Sequence, residues 1–84
     1  MILPIVHMNG TSRSTLIQLR CDAAAPLRDA LKALSEMAPN GRDYYPVPGH
    51  LTKAQAQHDR RVAALRTVYD EIEAEAEALA LDGV

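Results

Sequence analysis

The chain has 84 residues, 48% of them hydrophobic and 24% charged, with a formal net charge of −2. That balance excludes a general nucleic-acid binder, which is usually basic, and no apolar run approaches the ~20 residues a membrane helix needs. A single cysteine, Cys21, excludes an internal disulfide, and His7, His50 and His58 stand at no ligand spacing with it or with each other, so no metal set and no cofactor is expected.

A chain of this length makes one domain, and a small one. Such domains bury only ~60% of the surface their unfolded form exposes. Oligomerisation is the remaining common source of stability when disulfides and metals are absent. The unpaired cysteine fits a reducing compartment. The opening "MILPIV" has no basic residue and is too short for a signal peptide, so a cytoplasmic location is expected.

Residues 1–8 are apolar and β-branched, with Pro4 among them. Proline removes a ladder donor, so this segment reads as an extended arm or an edge strand. Asn9-Gly10 signals a turn, and Thr11 or Ser12 can cap the helix that follows. That first helix is predicted over 13–38. Its stripe is Leu16, Leu19, Ala23, Leu27, Ala30, Leu31, Leu34 and Met37, at three- and four-residue spacing. Pro26 lies inside it, where proline costs ~3 kcal/mol or kinks the helix. The stripe keeps its phase across Pro26, which favours one kinked helix; two helices split near Ala25 are the alternative. Residues 39–50, "PNGRDYYPVPGH", end the helix as a loop, with Gly41 expected at positive φ.

The second helix is predicted over 51–81. Leu51, His58, Leu65, Ile72 and Leu79 recur every seven residues, with Ala54, Val62, Val68, Tyr69 and Ala76 on the same face. Its length is ~45 Å at the helical rise. Two long antiparallel helices without a third partner leave apolar surface uncovered. The predicted fold is therefore mainly all-α: a two-helix antiparallel hairpin with a short N-terminal arm or strand, oligomerising through its helices. Charge along the second half is uneven. Residues 42–66 carry Arg42, Lys53, Arg60, Arg61 and Arg66 against Asp43 and Asp59, whereas residues 70–84 carry Asp70, Glu71, Glu73, Glu75, Glu77 and Asp82 with no basic residue.

Two clusters carry chemistry. The first is "PNGRDYYP". Its plain reading is a rigid turn with tyrosines covering the hairpin end. Its functional reading is a ligand platform. Tyr44 and Tyr45 stack on planar groups, Arg42 makes a forked contact with phosphate or carboxylate, Asn40 and Gly41 present amides, and Asp43 either orients Arg42 or simply neutralises it. His58 replaces leucine in the seven-residue series, and Arg61 lies one turn further. Either His58 is a core histidine bonded to a loop carbonyl or tyrosine hydroxyl, or it joins Arg42, Tyr44, Tyr45 and Arg61 in one basic, aromatic-walled cleft. Arg60 is expected to point to solvent. The second cluster is Asn9, Gly10, Thr11, Ser12 and Arg13. It is either a turn with its cap or an anion site at a helix N-terminus. The two clusters sit at opposite ends of the first helix, ~35 Å apart. An antiparallel dimer would set one subunit's cap beside its partner's loop, making a composite site.

The combination of "HMNGTS" near the start, "PNGRDYY" in the middle and "HDRR" in the following helix resembles a group of small uncharacterised proteins of tailed phages and prophages, over most of the chain. The resemblance implies a viral accessory protein in the host cell, where small proteins of this kind often block defence by binding a host protein or sequestering a nucleotide signal. Three functions compete. The first is a non-enzymatic, oligomeric binder of an anionic small molecule such as a nucleotide or cyclic nucleotide. The second is an interaction module that inhibits a host protein. The third, ranked last, is a small enzyme using His58; no nucleophile with its base and no Gly-rich phosphate loop is visible.

Overall fold

The computed structural model describes residues 1–81. Three helices follow one another: α1 over Arg13–Glu36, α2 over Gly41–Tyr44 and α3 over His50–Leu81. No strand occurs among the described residues, and within the single subunit the N-terminal segment pairs with no other strand. No described helix is long and apolar enough to cross a membrane.

Helix α1 starts where a side chain replaces the missing backbone partners. Ser12, in extended conformation, accepts a hydrogen bond from the Thr15 amide at 3.2 Å and donates to Thr15 Oγ1 at 2.8 Å. The helix ends at Glu36, two residues earlier than the apolar stripe suggests. Met37 forms its C-cap, and Ala38 precedes Pro39, whose ring disfavours helical backbone in the residue before it. Pro26 lies within one continuous helix, so the split near Ala25 does not occur. Helix α3 begins at His50. The residue at positive φ is Gly49, at 82°, and not Gly41, which instead opens α2. The Gly49 carbonyl accepts from the Lys53 amide at 3.3 Å, so this glycine supplies the sharp entry into α3.

The two long helices pack antiparallel. Arg20, near the start of α1, donates from Nε to Glu75 Oε1, near the end of α3, at 3.0 Å. A second Arg20 nitrogen donates to the Leu16 carbonyl at 3.1 Å, which aims the guanidinium at α3. The seam buries Leu16, Ala24 and Leu31 from α1 with His58 and Leu79 from α3. Half-buried Leu27 and Leu34 extend it, as do Leu51, Ala54, Val62, Leu65, Tyr69, Ile72 and Ala76. The α3 face therefore matches its periodicity, apart from Val68, which is 44% exposed. The α1 face is rotated from its expected position. Leu19 and Met37 are 56% and 58% exposed and Ala23 is exposed, while Arg20 and Ala24 turn inward. Arg20 reaches the seam because its aliphatic stem packs there while its head meets Glu75.

The result is a rod of 63 × 20 × 19 Å with a radius of gyration of 18.6 Å. A compact domain of this length has a radius of gyration of about 12 Å. A seam this narrow makes each large buried side chain important. Leu79→Ala is expected to cost about 2–5 kcal/mol, whereas Met8→Ala, at a side chain 97% exposed, should stay within ~0.5 kcal/mol. Urea unfolding of both variants checks this.

Candidate functional site

The hairpin end is built around α2. Asn40 caps it twice over. Its Oδ1 accepts from the Asp43 amide at 3.2 Å, and its Nδ2 donates to Asp43 Oδ2 at 3.0 Å. This reciprocal cap commits both side chains to each other, so Asp43 is held by Asn40 rather than by Arg42. The Tyr45 amide donates to the Gly41 carbonyl at 3.0 Å, and the His50 amide to the Val47 carbonyl at 3.1 Å. The segment is thus a tied turn.

That turn sets Tyr44, half-buried, against the first two turns of α3. Tyr44, His50, Lys53, Ala54, Gln57 and Arg60 line an open hollow of about 450 Å³. His50, Lys53, Gln57 and Arg60 fall at spacings of three, four and three, so they share one helical face beside the buried one. No carboxylate lines this hollow. A tyrosine ring beside two permanent cations and an imidazole can hold a planar group and an anionic one together.

The other residues of the expected cleft lie elsewhere. Tyr45 is 79% exposed. Arg42 and Arg61 are exposed and stand outside the hollow. His58 is buried between the helices and lines a different groove of about 480 Å³ with Leu31, Ser35, Ala38, Val62 and Arg66. Neither loop tyrosine lines that groove. Arg60, expected to point to solvent, is a wall of the Tyr44 hollow, where Arg61 is not. The sequence signal for this was the face shared by positions 50, 53, 57 and 60, masked by the seven-residue series that draws attention to His58.

At the far end of the rod, the Asn9-Gly10 turn closes with the Gly10 amide donating to the His7 carbonyl at 3.1 Å. The His7 ring lies over Gly10, where a Cβ would meet Nε2 at 2.7 Å. Asn9, Thr11 and Ser12 are exposed, and Ser12 is occupied as the α1 cap. The Arg13 Nε is buried, with no hydrogen-bond partner among the described residues. Within one subunit this turn and the Tyr44 hollow lie at opposite ends of α1, ~36 Å apart along its axis. No group of three His, Cys, Asp or Glu able to hold a metal ion occurs among the described residues.

No family model matches this chain, nor does any curated protein or solved structure. Asn40→Ala removes both halves of the α2 cap and should cost about 1 kcal/mol. Arg42→Ala leaves those bonds intact and should stay within ~0.5 kcal/mol. Equilibrium unfolding of the two variants distinguishes a tied turn from a loose one.

Proposed function

We propose that the protein is a non-enzymatic, oligomeric binder of an anionic small molecule, with a nucleotide or cyclic nucleotide as the ligand class. The carrying observation is the hollow of Tyr44, His50, Lys53, Gln57 and Arg60, which gathers cations and an aromatic ring without a neutralising carboxylate. The tyrosine offers a face for a base. Arg60 offers a planar fork for phosphate, and Lys53 a compact charge. The resemblance to small tailed-phage proteins supplies the setting, in which such a binder would withdraw a defence signal in the host cytoplasm.

A second reading is a module that binds and inhibits a host protein. It is supported by apolar side chains left open along the arm: Met1, Ile2, Ile5 and Met8 are 75%, 94%, 83% and 97% exposed.

A thermal-shift series with mono-, di- and cyclic nucleotides separates the two. Ligand at 100 times its Kd adds about 2.7 kcal/mol, which for a domain of this size raises Tm by roughly 10–20 °C. Lys53→Ala with Arg60→Ala should abolish the shift while leaving the Tm of the free protein within a few degrees. The absence of a shift with every nucleotide, together with capture of one protein from host lysate, would favour the interaction module.

A further inference from the structure

Helix α1 carries two apolar stripes. One faces α3. The other, turned outward, runs Leu19, Ala23, Pro26, Ala30, Ala33 and Met37 at alternating spacings of four and three. Every position in it is apolar, and five of the six are exposed, Ala30 being half-buried. The alternation is the pattern of a helix that packs against another helix. Among the described residues no other helix occupies that role, because α3 packs on the face of α1 that carries Leu16, Ala24 and Leu31. The side of α3 next to this stripe continues it with Ala64 and Val68. The opposite side of the hairpin carries more charge, with a groove lined by Arg28, Lys32, Ser35 and Arg66 beside Leu31 and Tyr69.

The surface area points to what is missing. A compact monomer of 9.2 kDa exposes about 4,900 Å², whereas this chain exposes 6309 Å². The surplus is about 1,400 Å². A standard interface removes about 800 Å² from each partner and an obligate homodimer interface roughly 1,000 Å² or more, so the surplus falls in the range that a permanent second subunit covers.

Two features specify a second copy in antiparallel orientation. The stripe is close to a palindrome by size: a large residue at each end and four small ones between. A two-fold axis near the middle of α1 sets Leu19 against the partner's Met37, Ala23 against the partner's Ala33 and Pro26 against the partner's Ala30. Large side chains then close the ends while small ones let the helices approach in the centre. The same axis lays α3 antiparallel to its copy. Arg61 of each subunit then lies toward the acidic stretch around Glu71 of the other. A parallel arrangement would set like charges together. Met1 and Ile2, which lie beside Glu71 and Glu75, stand at the edge of the same face.

We infer that two copies of this chain pack through the outward stripe of α1 into an antiparallel four-helix bundle. The pairing also brings residues 9–13 of each subunit to the end of the bundle that holds the partner's α2 turn. The two clusters separated by the length of α1 in one subunit thus become neighbours across the interface. This deepens the proposed oligomeric binder, but the dimer itself does not depend on what the Tyr44 hollow binds.

The test is the mass of the full-length protein in solution at tens of micromolar, with circular dichroism alongside. Wild type is expected at twice 9.2 kDa. Ala33→Glu, a change at an exposed helical site, should give a folded species of single mass, while Ala33→Ser should remain a dimer. A spin label on Ser14→Cys in a Cys21→Ser background fixes the orientation: ~40 Å between labels in the antiparallel pair, under ~20 Å in a parallel one, by the helical rise. A monomeric wild type, an Ala33→Glu dimer of unchanged affinity, or the short label distance would each overturn the proposal. Nucleotide shifts measured on the same samples report on the hollow separately.

Discussion

The seam between α1 and α3 governs the rest of the molecule. Among the described residues its buried members are four apolar side chains and one histidine. Hydrophobic burial is roughly proportional to the area removed from water, at about 25 cal/mol per Å², and a seam one helix wide offers little of it. The rod shape follows directly. With no third element to cap the hairpin, each helix can bury only the stripe that faces its neighbour. The remaining length is a solvated surface whose pattern is then free to carry other instructions.

Those instructions differ between the two faces of the hairpin. On one side α1 presents the apolar stripe of Leu19, Ala23, Pro26, Ala30, Ala33 and Met37. On the other side charged residues such as Arg28, Lys32, Asp59 and Arg66 edge shallow grooves that also hold Leu31, Val62 and Tyr69. The Arg20–Glu75 pair sits at the margin of the seam, with both side chains partly screened. A pair in that position adds modest energy. Its greater effect is on register, since it joins residues 55 apart and holds the beginning of α1 against the end of α3. A slip of one turn would separate it and mismatch Leu16 with Leu79.

The hairpin tip shows how a tied turn can make a site. The Asn40–Asp43 cap fixes α2, and α2 in turn holds Tyr44 against α3. Gly49 supplies the left-handed residue that starts α3 where it does. The first three turns of α3 then present His50, Lys53, Gln57 and Arg60 toward the tyrosine. Tyr45, its sequence neighbour, points away. Adjacent aromatic residues thus take separate roles because a short helix turns successive side chains by about 100°.

Much of the fold was legible in the chain alone. The Ser12 cap, the stop before Pro39 and the repeat of α3 are local: each depends on a few neighbouring residues and on backbone sterics, so each can be read without a partner. The phase of α1 could not be read in this way. Leu19 and Ala23 fit an apolar stripe as well as Ala24 and Leu31 do, and the choice rests on which stripe α3 covers. Arg20, polar by name, enters the seam because Glu75 waits across it. The site followed the same division. The sequence marked the tyrosine turn as chemically unusual, but which α3 residues line a hollow with Tyr44 depends on how the chain re-enters the helix after Gly49. Local propensity determines where helices begin and end. Which faces meet, and which side chains share a hollow, are long-range outcomes that packing alone decides.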